Sequence, residues 1–162
     1  MFNGKPHQYS FISKWLIDAP INTVWEAIYE SESWPQWWEG VVSVTETVKG
    51  DENGIGSIRT YKMRSPMLYT LSFNILLTER KDYAMLIGTA SGELSGTGAW
   101  YFEHENGKTV VQCHWHVAST LWWMNLFAFV LRPAFEYNHR IVMHDGAKSL
   151  AKKLQTDVSI LS

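Results

Sequence analysis

The chain has 162 residues, a formal charge of −2 and an isoelectric point near 6.3. That length predicts a single domain over residues 1–162, able to bury roughly two thirds of its unfolded surface without a metal or disulfide. The charge leaves no basic field to neutralise several phosphates, which excludes nucleic acid and anionic membrane surfaces as expected partners and points to a neutral or weakly polar one. Cys113 is the only cysteine, so no intrachain disulfide is possible; with no charged-then-apolar leader, the reading is a cytoplasmic protein.

In chain order, residues 11–17 read as a first strand, with Phe11, Trp15 and Ile17 on one face and a stop at Asp18-Ala19-Pro20. Pro20 suits a first helical turn, after which Ile21, Val24, Trp25 and Ile28 recur at helical spacing. Residues 33–38 predict a second, very short helix entered through Pro35, and Val41 to Val44 begin a run of strands. Tyr69, Leu71, Phe73, Ile75 and Leu77 alternate with Thr70, Ser72 and Asn74, the pattern of a strand with one buried face. Asn106-Gly107 predicts a two-residue hairpin, because both central residues of its turn need positive φ. Counting back from that turn places Phe102 opposite Val111, Trp100 opposite Cys113, Gly98 opposite Trp115, Tyr101 opposite Gln112 and Thr97 opposite His116. Gly98 leaves room there for an indole.

Thr120 is the predicted cap of a last helix that runs, interrupted at Pro133, to about Gln155. Its apolar segment, residues 121–131, is broken by Asn125 and is shorter than the roughly 20 residues of a spanning helix, so no stable membrane insertion is expected. Along its second half Phe135, His139, Val142, Gly146 and Leu150 share one side, with Asn138, Met143 and Leu154 at the margins; Gly146 is predicted to allow a close approach to the sheet.

Nine tryptophans exceed what the core of such a domain needs. Trp34, Trp37, Trp38, Trp100, Trp115 and Trp122 come from four separate segments and are predicted to converge, Trp34, Trp38, Trp100, Trp115 and Trp122 as walls of a ligand cavity, with Tyr69, Asn125 and His139 as sparse polar contacts. Asn138 and Met143 accompany His139 on the helix. Arg59 and Tyr61 face inward with Met63 only if the turn at Ser65-Pro66 has one of its two possible lengths, since one residue of slip reverses the face. His139 reads either as an acid or base working near pH 7 or, with Asn138, as a polar group satisfying neighbouring backbone. His104, His114 and His116 have mixed strand parity, so no metal site is expected. Cys113 reads as a small hydrophobe, and no cofactor is expected.

Ala19-Pro20-x-x-x-Val24-Trp25-x-x-Ile28, Trp34-Pro35-x-Trp37-Trp38 and Gly92-x-Leu94-x-Gly96-x-Gly98-x-Trp100 resemble segments of the START-related superfamily of polyketide cyclases, dehydrases and lipid-transport proteins. Trp115-x-Val117, Trp122 with Met124, and Asn138-His139-x-x-Val142-Met143-x-x-Gly146-x-x-x-Leu150 resemble its bacterial polyketide cyclase-like subgroup. The resemblance implies an α+β helix-grip fold: a curved seven-stranded antiparallel sheet wrapped around a long C-terminal helix, with two short helices after strand 1. It also implies a cavity for a hydrophobic small molecule, lipid, aromatic or polyketide-like, in a monomer or homodimer. Three functions fit: a binding module, a cyclase or dehydrase moving a proton through His139 or a tyrosine, and a partner-binding domain that docks through an exposed Trp37-Trp38 edge.

Overall fold

A computed structural model describes residues 7–65 and 69–161. The expected turn at Ser65-Pro66 runs into residues 66–68, outside the described residues. Among those described, eight strands form one unclosed antiparallel sheet: β1 (Gln8–Ile17), β2 (Val41–Val48), β3 (Ile58–Arg64), β4 (Thr70–Lys81), β5 (Met85–Gly92), β6 (Leu94–Glu105), β7 (Lys108–Ser119) and β8 (Val158–Leu161). Their order is β2-β3-β4-β5-β6-β7-β1-β8. Strands β2 to β7 follow one another as a meander, and β1 closes onto β7. The chain must therefore travel from β1 to the far edge at β2, and α1 (Ile21–Tyr29) with a 3-10 helix (Ser31–Gln36) carries it.

The β6–β7 hairpin turns at Asn106 (φ 49°) and Gly107 (φ 80°). Its register is the one read from the sequence, including Trp100 opposite Cys113 and Gly98 opposite Trp115. In α1 the predicted stripe is buried at Val24, Trp25 and Ile28. Pro20 stands just before the helix, where its carbonyl accepts the first helical hydrogen bond from Val24 N at 3.2 Å. The 3-10 helix is locked to α1 because Trp34 Nε1 donates to Ala27 O at 3.0 Å.

The C-terminal region differs from expectation in three respects. The helix breaks at Phe127, giving α2 (Trp122–Leu126) and α3 (Ala128–Leu154), while Pro133 sits inside α3, where it forgoes one backbone hydrogen bond close to the helix start. Thr120 does not cap: its Oγ1 donates to Gly92 O at 2.7 Å and its N–H to Glu93 O at 3.0 Å, so the β5–β6 turn holds it. The sheet has eight strands rather than seven. Gln155, at φ 53°, reverses the chain after α3, and Val158–Leu161 then pairs with Lys14 to Ile17 of β1. Thr156 Oγ1, donating to Asp18 O at 2.6 Å, pins that reversal.

The core lies between the concave face, α1, the 3-10 helix and α3. The Trp37-Trp38 edge expected to be exposed is packed inward, with Trp38 only 2% exposed. Gly146 does bring α3 close, but to that indole rather than to the sheet: a Cβ added at Gly146 lies 2.5 Å from Trp38 Cζ2. No helix among the described residues is long and apolar enough to cross a membrane.

Gly146→Ala sets helix propensity, which favours alanine by about 0.8–1.0 kcal/mol, against overpacking of about 1–3 kcal/mol. The Trp38 ring is held by Trp15, Trp34 and Trp37 at centroid distances of 6.0, 5.1 and 5.7 Å, so it has nowhere to move and the clash should win. Urea unfolding is expected to show a net loss of up to about 2 kcal/mol; increased stability would show that the ring yields.

Candidate functional site

Strand alternation turns one face of β3 to β7 toward α3, and these side chains enclose a cavity of about 250 Å³. Its aromatic wall is continuous. Trp100 lies 6.2 Å from Trp34, and Trp34 lies 5.7 Å from Tyr61; Trp15, outside the lining, backs this wall 5.8 Å from Trp100. Tyr61 stacks on Phe73 at 5.5 Å and 7°, and Phe73 meets Trp115 at 5.5 Å. Of the residues expected at the site, Trp34, Trp38, Tyr61, Tyr69, Trp100 and Trp115 line the cavity from the sheet side and the 3-10 helix. Asn138, His139 and Met143 line it from α3.

Two expected residues do not. Trp122 points outward, 73% exposed. Asn125 spends its side chain on backbone, Nδ2 donating to Ser119 O at 2.9 Å and Leu121 O at 3.3 Å. The segment is apolar on every side, so periodicity alone could not choose its inward face; Met124 is the residue that turns in.

Polar groups gather at two places. Near α1, Arg59 lines the cavity and donates through Nη1 to Tyr29 O at 2.7 Å and Ser31 Oγ at 3.1 Å. Ser31 Oγ and Tyr61 Oη share a 2.8 Å hydrogen bond in which either hydroxyl can donate. Burial raises the Tyr61 phenol pKa, with the Ser31 hydrogen bond and the Arg59 charge acting in the opposite direction. Arg59 Nε is buried with no hydrogen-bond partner among the described residues, and its carboxylate neighbour Glu46 Oε1 stands at 3.7 Å. Arg59 and Tyr61 thus both face inward. Ser31 is invisible to sequence reasoning, since nothing in its position at the start of a 3-10 turn marks it. Tyr9 escapes as well, because the sequence pattern starts the first strand at Phe11; it shares the parity of Phe11, and both line the cavity.

Near α3, Ser65 Oγ donates to Asn138 Oδ1 at 3.1 Å. Burial raises the Tyr69 phenol pKa, opposed by a hydrogen bond with Ser65. His139 stacks on Phe11 at 4.2 Å and 11° and makes no hydrogen bond among the described residues, so its nitrogens do not satisfy backbone as one reading had it. Burial lowers its pKa to about 4, and the imidazole is neutral at physiological pH. Cys113, also lining the cavity, is pushed up to about 12 by burial.

On β7, outside the cavity lining, His116 Nδ1 hydrogen-bonds Ser10 Oγ at 2.7 Å and His114 Nε2 meets Gln112 Oε1 at 3.1 Å. Among the described residues no group of three or more His, Cys, Asp or Glu is placed to hold a metal ion.

Residues 11–155 match the family model for polyketide cyclase / dehydrase and lipid transport. No curated protein matches the chain significantly. The fold is similar to that of a Thermus thermophilus protein, with TM-score 0.74 and 15% identity over 91% of this chain and 97% of that one. It is also similar to a START superfamily protein from Mycobacterium smegmatis, with TM-score 0.70 and 13% identity over 92% and 97% of the two chains. The di-domain ARO/CYC StfQ from the steffimycin biosynthetic pathway matches with TM-score 0.64 and 13% identity over 91% of this chain; this chain spans about half of it, 52%. At these identities the likeness is one of fold.

The depressed pKa of His139 makes stability depend on pH. The unfolded chain takes up a proton near the ordinary histidine value of 6.5 that the folded chain refuses until about 4. The contribution is therefore complete above pH 6.5 and lost as pH falls toward 4, amounting to at most about 3 kcal/mol. His139→Gln is expected to remove this part of the acid slope when urea unfolding is followed from pH 7.5 to 4; an unaltered slope would place the imidazole in water.

Proposed function

The chain belongs to the polyketide cyclase / dehydrase and lipid transport family, and from that premise we propose that its cavity binds a compact, ring-bearing apolar metabolite with one acidic or carbonyl oxygen. The observation that carries this reading is an aromatic-walled cavity of about 250 Å³ with the Arg59 guanidinium among its lining residues. Sites for drug-sized ligands occupy roughly 300–1,000 Å³, and an apolar cavity of about 150 Å³ accepts benzene. One or two rings fit the space here, and a diacyl lipid does not. The guanidinium fork, beside the Ser31 and Tyr61 hydroxyls, suits an oxygen that arrives with a charge or a strong dipole. At the other end the neutral His139 and Asn138 offer hydrogen bonds without charge.

Holding the ligand is favoured over transforming it. Acid–base catalysis is most effective when the group titrates near the working pH. His139 at about 4, Cys113 at about 12, and Tyr61 and Tyr69 raised above their ordinary values are all displaced away from neutrality. The cyclase or dehydrase alternative, with His139 or a cavity tyrosine moving a proton, has no such matched group among the described lining residues.

Tryptophan emission should report binding, since Trp34, Trp38, Trp100 and Trp115 line the space. A bicyclic aromatic acid such as 1-naphthoic acid is expected to quench it saturably, with a response altered in Trp100→Ala and Trp115→Ala. Arg59→Met should weaken the acid by roughly 10- to 100-fold, the value of about 1.5–3 kcal/mol for a hydrogen bond to a charged group, and leave the neutral hydrocarbon naphthalene nearly unchanged. Equal loss for both would remove Arg59 from recognition, and absence of quenching by either compound would end the cavity reading. His139→Ala separates carrier from enzyme: affinity falling by about 0.5–1.5 kcal/mol fits a carrier, whereas a turnover that falls roughly 10²–10⁴-fold fits acid–base chemistry.

A further inference from the structure

The largest apolar side chains left outside the core are concentrated in one place. Trp122, Trp123, Leu126, Phe127, Phe129 and Val130, from α2 and the first turn of α3, are all exposed, Phe129 to 91%. Scattered surface leucines need no explanation, but a contiguous patch of this kind marks a contact surface. We propose that it docks peripherally on a lipid bilayer with zwitterionic headgroups.

Charge, chemistry and position select that occupant. No Asp, Glu, Lys or Arg occurs between Lys108 and Arg132, and Arg132 is itself paired with Glu136, Nε to Oε1, at 3.2 Å. The run itself therefore carries no charge with which to prefer anionic lipid. Most of the backbone from Trp122 to Val130 is helical, so apart from the helix starts this surface asks comparatively little hydrogen bonding of what covers it, as the boundary between headgroups and acyl chains requires. A protein partner ordinarily meets a polar rim and a set of direct hydrogen bonds, which the run from Trp122 to Val130 does not supply. Trp122 and Trp123 carry the amphipathic ring that favours the headgroup level, next to Phe129 and Val130, which suit the layer beneath. The inner side of the same segment belongs to the cavity: Met124 lines it, and the Trp123 ring lies 6.4 Å from that of Tyr69, another lining residue. The proposed docking surface is thus the outer side of a cavity wall, a place where an apolar ligand can pass between membrane and protein with little exposure to water.

The test uses the full chain with vesicles of palmitoyl-oleoyl-phosphatidylcholine and no cavity ligand, so its outcome is independent of the ligand proposal. Flotation with the vesicles is expected and should persist in molar salt. Leu126→Asp combined with Phe129→Asp should reduce partitioning at least about tenfold, the scale of withdrawing one large apolar side chain from an apolar phase, with the near-UV circular dichroism of the parent retained. Brominated phosphatidylcholine should quench the parent more than Trp122→Phe. Absence of flotation would overturn the proposal, as would flotation only with phosphatidylglycerol-rich vesicles that salt abolishes. A dimer in sedimentation equilibrium that the double variant dissociates, without flotation, would assign the face to a second copy and overturn it equally.

Discussion

The indole of Trp38 is the joint on which the grip depends. An unclosed sheet can curve around a helix only if something fixes the helix against the sheet and against the segment that links the sheet's two sides. Trp38, just past the 3-10 helix, does both: it packs on Trp15 of β1 and on Trp34, and Gly146 of α3 comes so close that a single methyl would collide with it. The energetics show which force matters. Trp38 Nε1 is buried with no hydrogen bond among the described residues, an omission that costs about 1–3 kcal/mol. Burying roughly 200 Å² of ring returns about 5 kcal/mol at 25 cal/mol per Å². Packing outweighs hydrogen bonding here, and the orphaned Trp15 Nε1 repeats the choice one ring away.

That priority explains the cavity. A wall of interlocked rings cannot collapse inward without breaking its own contacts, so the space persists as a consequence of how Trp15, Trp100, Trp34, Tyr61, Phe73 and Trp115 hold one another. Polar side chains of the lining are held where backbone or a neighbouring hydroxyl receives them: Arg59 Nη1 on Tyr29 O and Ser31, Asn138 on Ser65. His139 is held otherwise, kept neutral by burial and stacked on Phe11.

Much of this was legible wherever a strict period and a turn signal coincided. Asn106-Gly107 determined the pairing of β6 and β7, and with it the facing of Trp100, Cys113 and Trp115; alternation in β4 placed Phe73 and its neighbours. Legibility ended where the determining partner lay far away in sequence. Thr120 looks like a cap until Gly92 competes for its hydroxyl. Gly146 announces a close approach without naming Trp38, more than a hundred residues upstream. Residues 121–131 are apolar all round, so the pattern assigns Trp122 and Asn125 to the cavity when Met124 is the one that faces it. The eighth strand follows from Gln155 adopting a left-handed conformation, which its sequence neighbours do not announce, and from the bond of Thr156 to Asp18.

The pairing of β8 with β1 also sets the mechanics of α3. The helix is tied at its C-terminal end, where Gln155 reverses the chain into the sheet and Leu150 is fully buried, whereas its other end begins at the break beside Phe127. Such a helix is a lever whose fulcrum is the contact of Gly146 with Trp38. From Gly146 back to its start at Ala128 it spans about 27 Å at 1.5 Å per residue, so a tilt of about 5° around that contact carries the helix start through about 2.4 Å. Small loosening at the sheet edge would therefore be felt as a larger movement at the far end.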